Sequence, residues 1–237
     1  VIEKAVYKEK NTLQFYIDDE NSLTSSLLSN SGHKPSYDVD AITLDDAIAL
    51  TGEEMIDLVK MDIEGAEFDI IENLSQSTFD KINSFLIEYH DFYFPEGMQK
   101  VYNLISQLEA AGFTVNKPEG TVGVAEMKII YATKVKKSYW VDMGNSISMR
   151  NLYDFSKTFS WDNMNKGLQD GYNHLMNEMY FTNDGYTNGN IYERYGCVIQ
   201  KDDVVVDCGA NIGAFANYAY NKGASQILCI EPIDISF

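Results

Sequence analysis

The segment VVVDCGANIG, residues 204–213, constrains the fold of this chain more than any other stretch. Its apolar run ends at Asp207 and predicts a buried strand, and the following turn carries Gly209 and Gly213. A strand, a glycine turn and a helix in this order form the corner of an open α/β sheet where ligands bind, beyond the carboxyl ends of the strands. Such a corner usually opens its domain, whereas here it lies near the end of 237 residues.

Short β-rich runs alternate with helical patterns over residues 1–134 and again over 196–237. This alternation predicts an α/β fold with a mostly parallel sheet, and FTVNKP and MKIIYATK predict a terminal antiparallel pair. Residues 135–195 are rich in aromatic residues, Asn and Met, so we expect a helical segment packed on the sheet. A chain of this length with 45% hydrophobic residues buries one core, which predicts a single domain over 1–237.

The clearest unit within the first part is IDLVKMDIEGAEFDIIENL. It predicts a strand to about Asp62, a turn at Gly65 and a helix whose apolar residues recur at helical spacing. The runs VIEKAV, TLQFYI, DVDAIT and SFLIEYH predict further strands, with one helix from about Leu44 and another that stops at Gly112.

Composition narrows the classes of partner. The net charge of −18 argues against nucleic acid and anionic membranes, since either needs clustered Lys and Arg. The chain has three cysteines, an odd number, and their spacing is not that of a zinc site or a disulfide framework. This cysteine usage favours a reducing compartment. No apolar run approaches the length of a bilayer span, and the first residues lack the pattern of a signal peptide, so we expect a cytoplasmic protein.

The turn after Asp207 has the spacing D-x-G-x-x-x-G and not G-x-G-x-x-G. Asn211 stands where a middle glycine is common, and Asn tolerates a positive φ. We expect free backbone N–H groups and the start of a helix near Ile212 to face a ligand. Glu231 ends the next strand, where a carboxylate can hold both hydroxyls of a ribose. The alternative is a tight βα turn beside a solvated glutamate.

Dinucleotides and S-adenosylmethionine both bind at corners of this kind. A pyrophosphate prefers a glycine-rich turn with basic residues, whereas here the acidic Asp207 precedes the turn. A negative residue suits the cationic ammonium and sulfonium of S-adenosylmethionine better, and the acidity of the chain points the same way. The sequence therefore favours the methyl donor.

Several blocks of the chain resemble the FkbM-type S-adenosylmethionine-dependent methyltransferases. They are VVVDCGANIGAFANYAYNKGA, ILCIEP, EKAVYKEKNTLQFY, NSLTSSLLSN, DAITLDDAI, IDLVKMDIEGAEFDIIENL and FLIEYH, and they fall within residues 3–90 and 204–232. The resemblance implies a Rossmann-like class I methyltransferase fold and O-methylation of hydroxyls on sugars or secondary metabolites. The acceptor is then a small molecule or a glycan, and a homodimer is one oligomeric state that the sequence allows.

The resemblance also implies roles for individual residues. The residues implied to hold the methionine moiety are Asp207, Gly209, Ala210, Asn211 and Gly213. Glu231 is implied to hold the ribose, Lys4 and Ala5 the adenine, and Thr24–Ser26 to lie near the mouth of the acceptor site.

The order of these blocks differs from that of the family, where the D-x-G-A-N-x-G block comes first. Here residues 1–134 hold the later blocks and residues 135–237 the earlier ones, so the chain reads as a circular permutation. A true permutant, one register of a tandem array, or a numbering that does not follow the native chain would each give this order. All three predict that VIEKAV lies beside QILCIEP in one sheet.

Methyl transfer to a hydroxyl requires alignment of the acceptor and a group that accepts its proton. His90 ends a strand and is the predicted general base, while His33 and His174 are weaker candidates. The residues expected to orient the acceptor hydroxyl or the imidazole are Asp62, Glu64 and Glu88. In a simpler interpretation, His90 is only hydrogen-bonded to the backbone, and the charged turn DIEG only caps the helix that follows Gly65. These four side chains are also of the types that bind Mg²⁺, but we predict no metal.

Two other classes of function stay open at this point. The first is a nicotinamide-dependent oxidoreductase, which would call for G-x-G-x-x-G and a hydride-site pair such as Tyr-x-x-x-Lys, neither of which accompanies this turn. The second is a non-catalytic binding or assembly module that keeps the fold and uses residues 135–195 for association.

Overall fold

The computed structural model describes residues 1–17, 27, 34–117, 128–134, 192–193, 195–211 and 213–232. The helical segment predicted over 135–195 lies outside these residues, apart from 192, 193 and 195. Thr24–Ser26, His33, His174 and Ile212 also lie outside them.

Nine strands are present in the described part of the chain. They are β1 Ala5–Val6, β2 Thr12–Ile17, β3 Lys34–Ile42, β4 Leu58–Met61, β5 Ser84–Glu88, β6 Thr114–Asn116, β7 Ile129–Thr133, β8 Val204–Cys208 and β9 Gln226–Ile230. The described α-helices are α1 Leu44–Thr51, α2 Glu67–Asn73, α3 Gln76–Asp80, α4 Met98–Ala110 and α5 Ala214–Lys222, and a 3-10 helix spans Asp91–Tyr93.

Local sequence explains why the helices begin and end where they do. Helix α1 starts at a capping box in which the Thr43 side chain accepts from the Asp46 N–H and the Asp46 side chain accepts from the Thr43 N–H. It stops at Gly52, and α5 stops at Gly223, both in the left-handed conformation that favours glycine.

Six strands form the main sheet in the order β6-β7-β5-β4-β8-β9. The pairs β4–β5, β4–β8 and β8–β9 are parallel, whereas β7 pairs antiparallel with both β5 and β6. The predicted mixed α/β fold with a terminal antiparallel pair is confirmed at this level.

A smaller sheet of order β1-β3-β2 lies beside β9. Ile2 makes a parallel bridge to Ile230, in which the Ile2 N–H donates to the Cys229 carbonyl and the Glu231 N–H donates to the Ile2 carbonyl. VIEKAV therefore lies beside QILCIEP as predicted, but the two runs do not share one sheet, because Ala5–Val6 pairs with β3 in the smaller sheet and only the bridge at Ile2 reaches β9.

The main sheet is buried on both faces, which is why its strands read as continuous apolar runs. On one face, Val59, Phe85 and Val206 pack with α1, α2 and α4. On the other face, Leu58 and Val205 pack with α5. None of the helices that the structure describes is both long enough and apolar enough to cross a membrane.

Candidate functional site

The parallel strands β4, β5, β8 and β9 bring their carboxyl ends to one edge of the main sheet. Two groups of residues meet at this edge. The first, the glycine corner, consists of residues 209–211 and 213 together with Glu231. The second, the carboxylate–histidine cluster, consists of Asp62, Glu64, Glu67, Glu88 and His90.

The glycine corner does not present free backbone donors at its described positions, so the prediction of free N–H groups there is wrong. The N–H groups of Gly209 and Ala210 both donate to the Ile230 carbonyl, at 2.9 and 3.2 Å. The Asn211 N–H donates to Glu231 Oε2 at 2.8 Å, and the Gly213 N–H donates to the Ala210 carbonyl. The end of β9 runs alongside the turn and supplies these acceptors, which a strand pattern alone does not reveal.

The turn has the backbone conformation expected from its residues. Asn211 has φ 47° and Gly213 has φ 77°, so Asn does occupy a left-handed position here. Helix α5 begins at Ala214, two residues later than the predicted start near Ile212.

Gly209 is required by protein packing. It has φ 76°, and a Cβ atom at this position would lie 1.8 Å from the Asp62 carbonyl oxygen. The end of β4 therefore presses directly against the turn after β8. The glycine corner and the carboxylate–histidine cluster meet at this backbone contact.

Asp207 lies beneath the turn and is fully buried, with an exposed fraction of 0%. Lys60 Nζ lies 3.4 Å from Asp207 Oδ1, an ion-pair contact without hydrogen-bond alignment. Neither carboxylate oxygen accepts a hydrogen bond from the residues that the structure describes. Asp207 therefore does not line the surface of the site, and burial raises the pKa of its carboxyl against the opposing effect of Lys60.

Lys60 joins the two groups of residues and was not singled out by the sequence. Its buried ammonium donates to the Gly209 carbonyl at 3.2 Å and to Asp62 Oδ2 at 3.4 Å. Burial alone would lower the pKa of Lys60, but the charges of Asp207, Asp62 and Glu88 raise it, so the side chain is a cation. One lysine in an apolar run gives no sign of partners about 150 residues away in sequence.

His90 is the centre of the carboxylate–histidine cluster, and its side chain is 7% exposed. Its Nδ1 lies 3.2 Å from Glu67 Oε1, while its Nε2 lies 3.5 Å from Glu64 Oε2 and 3.8 Å from Asp62 Oδ1. The Tyr93 hydroxyl donates to Glu64 Oε2 at 2.8 Å. The structure thus brings Asp62, Glu64 and His90 together as predicted.

The protonation states in the cluster depart from their ordinary values. Burial alone would lower the pKa of His90, but the hydrogen bond and charge of Glu67, with the charges of Glu64 and Asp62, raise it to about 10. Burial raises the pKa of Glu64 to about 7, although the nearby charge of His90 acts to lower it. Burial, together with the negative charge of Asp62, raises the pKa of Glu88 to about 8. An imidazole protonated at neutral pH has no lone pair with which to accept a proton, which works against His90 as general base.

Glu67 is the member of the cluster that the sequence did not predict. It is fully buried at the first position of α2, where an acidic residue ordinarily reads as a helix-dipole contact. The signal that could have found it is the spacing in DIEGAE, which puts a third acid beside the turn at Gly65.

The residues implied to hold a ribose and an adenine lie at the other end of this edge. Glu231 is 5% exposed and already accepts from the Asn211 N–H. Lys4 pairs with Asp40 at 3.4 Å, and Ala5 is buried in the small sheet at 3% exposure. No contact joins Lys4 or Ala5 to the glycine corner among the interactions of the described residues.

Asp62, Glu88 and His90 each present one possible ligand atom, all within 4.8 Å of one another. Two cations, Lys60 and the His90 imidazolium, already lie among these carboxylates. We therefore treat the three residues as part of an acceptor site and assign no metal ligands.

A family model bears on the class of the protein. The model described as the methyltransferase FkbM domain matches residues 2–115, a little under half of the 237 residues. The matched segment is similar to that family. The match includes the whole carboxylate–histidine cluster and confirms the resemblance seen in the sequence, while residues 196–232 lie beyond it. No curated protein and no solved structure gives a significant match to the chain.

Proposed function

We propose that this protein is an FkbM-type methyltransferase that uses S-adenosylmethionine to O-methylate a hydroxyl on a sugar or secondary metabolite. One observation carries the proposal: the glycine corner and the carboxylate–histidine cluster are in backbone contact at Gly209 and Asp62. A methyl donor bound on the corner and a hydroxyl bound at the cluster would be neighbours, which is what direct transfer requires.

The residues present fit S-adenosylmethionine better than a dinucleotide. The described N–H groups of the corner are already bonded within the protein, so a pyrophosphate would find few backbone donors there. The carboxylate of Asp207 lies below the turn without a hydrogen bond, and its negative charge favours a cationic ligand. When bound, S-adenosylmethionine supplies a methyl group activated on a positively charged sulfur.

Each part of the edge then has a distinct task. Gly209, Ala210, Asn211 and Gly213 would shape the site for the methionine moiety, with Asp207 acting through its charge, and Glu231 would hold the ribose hydroxyls. Lys4 and Ala5 are proposed to border the adenine. The residues proposed to bind the acceptor hydroxyl and manage its proton are Asp62, Glu64, Glu88 and His90.

The strand order supports a Rossmann-like class I fold with permuted connectivity. Strands β8 and β9 come last in the sequence but lie between β4 and the bridge at Ile2. In an unpermuted chain of this arrangement, β8 would come first and β1 would follow β9. We infer that the two segments form one domain, an arrangement that a true permutant, one register of a tandem array or a numbering that does not follow the native chain would each give.

The test is isothermal titration calorimetry of the whole chain with S-adenosylmethionine, S-adenosylhomocysteine and, separately, NAD. We expect micromolar binding of the first two ligands and none of NAD. Glu231→Gln keeps the shape of the side chain but removes its charge, so it should weaken S-adenosylmethionine binding about 10- to 100-fold, the value of a hydrogen bond to a charged group. Glu109→Gln, at an exposed position of α4, is the matched control and should change nothing.

Each contrary outcome identifies a different error. NAD binding without S-adenosylmethionine binding would favour the oxidoreductase, and a folded chain that binds neither would favour the non-catalytic module. Equal affinity in wild type and Glu231→Gln would remove Glu231 from the ribose site while leaving the methyl donor in place.

A further inference from the structure

The carboxylate of Glu67 makes contacts that its position in the sequence does not suggest. Its Oε2 accepts from the Gly65 N–H at 2.8 Å, and its Oε1 accepts from the His90 N–H at 2.8 Å. Oε1 also lies 3.2 Å from His90 Nδ1. One fully buried carboxylate thus ties the turn after β4 to both the backbone and the ring of His90, two residues beyond the end of β5.

These contacts set the orientation of the imidazole. A carboxylate that already accepts two backbone N–H groups remains an acceptor, so the Nδ1 that faces it carries a proton. The ring is thereby fixed with Nε2 toward Glu64 and Asp62, at 3.5 and 3.8 Å. Those distances exceed a short hydrogen bond, so neither carboxylate holds Nε2 in one.

We propose that Glu67 is a positioning residue that holds His90 as a hydrogen-bond donor to the acceptor oxygen, and that Glu64 takes the proton of the acceptor hydroxyl. The assignment of these roles to methyl transfer rests on the proposed function. The acceptor O–H bond breaks and its proton passes to the Glu64 carboxylate, while the oxygen bonds to the methyl carbon and the carbon–sulfur bond of the sulfonium breaks.

The charges that face His90 support this division of roles. Glu67 faces it from α2, Asp62 and Glu64 from the turn after β4, and Glu88 from β5. The Tyr93 ring stacks on the imidazole with centroids 6.1 Å apart. Four acids around one imidazole favour the imidazolium, and burial raises the pKa of Glu64 to about 7, a value suited to accepting a proton near neutral pH.

The experiment is an NMR titration of the His90 ring in the ligand-free protein, with the signal assigned by its loss in His90→Asn. In wild type we expect an imidazolium that persists above pH 8. Glu67→Gln keeps the side-chain shape and removes the charge, and it should lower the pKa of His90 by at least one unit, a tenfold change in proton affinity. Glu72→Gln, on the exposed side of the same helix, is the matched control and should leave the titration unchanged.

A Glu67→Gln protein that is folded and titrates His90 as wild type does would overturn the proposal. If that variant fails to fold, the test rests on the NMR chemical shifts of the two His90 ring nitrogens in the wild-type protein at pH 7.5. A neutral ring, or an Nδ1 that carries no proton, would refute the proposal. The titration needs no cofactor, so it is independent of whether S-adenosylmethionine binds. If methyl transfer is found, Glu64→Gln should reduce kcat far more than it changes KM, and an unchanged kcat would remove Glu64 as the proton acceptor.

Discussion

The glycine corner and the carboxylate–histidine cluster lie in contact but are built on opposite principles. In the corner, backbone groups pair with one another and with Glu231, so its shape is fixed by hydrogen bonds and φ angles. In the cluster, four acids surround one imidazole, so its state is set by charge and burial. One edge of a sheet can therefore hold a region of fixed backbone geometry next to a region of titratable side chains. Here the two regions are joined where the Lys60 ammonium donates to the Gly209 carbonyl.

The largest effect is expected from breaking the contact between the two regions. Gly209→Ala would drive a Cβ into the Asp62 carbonyl at 1.8 Å, and we expect the free energy of unfolding to fall by roughly 4 kcal/mol or more. Gly223→Ala has a similar positive φ of 94° but meets nothing closer than 3.4 Å, so it should cost only about 1–2 kcal/mol. Urea unfolding of both variants measures the difference, and equal losses would show that the close approach at Gly209 relaxes freely.

A smaller effect is expected from removing the cation that joins the regions. Lys60→Met leaves the buried carboxylate of Asp207 without its ion-pair partner, so stability should fall by about 3 kcal/mol. Adding Asp207→Asn to that variant removes the uncompensated charge and should restore at least about 1 kcal/mol. The double-mutant cycle is read from urea unfolding, and strictly additive losses would mean that the two side chains do not interact.

The smallest effect concerns pH and belongs to the cluster alone. Glu64 has a pKa of about 7 when folded against an ordinary value of 4.5, so the folded protein binds this proton more tightly than the unfolded chain does. Stability from this group is present below pH 4.5 and is lost as the pH rises through 7. The stability of wild type relative to Glu64→Gln should therefore fall by on the order of 2 kcal/mol between pH 5 and pH 8, measured by urea unfolding. A rise over that range would contradict the burial of this carboxyl.

The same pH series with Glu72→Gln serves as its control, because Glu72 is exposed on α2 and should give a constant difference from wild type. A pH dependence confined to the cluster would thus sharpen the contrast between the two regions.

Much of the fold was predictable because the signals are local. The apolar runs predicted β4, β5, β8 and β9, and the position of Gly112 predicted the end of α4. The rule that parallel strands end at one edge correctly gathered Asp62, Glu64 and His90. The short helix α3 and the 3-10 helix were missed, since neither is long enough to show a period.

The site was less predictable because its chemistry depends on contacts that are distant in sequence. Lys60 is one polar residue in an apolar run, and its partners Gly209 and Asp207 follow about 150 residues later. The occupied N–H groups of the corner depend on where β9 ends. The direction of the pKa shift of His90 requires the burial and the neighbours of the ring, which no spacing rule supplies.

The pairing of β4 with β8 has a consequence for how the molecule can be divided. These central neighbours come from opposite sides of residues 135–191, so a cut in that stretch would sever no described strand of the main sheet. Each resulting piece would carry an unpaired strand edge that the other piece matches in register. The main sheet can thus be divided between β4 and β8 into two complementary pieces. Association of the two pieces would bring the glycine corner and the carboxylate–histidine cluster back together in one step.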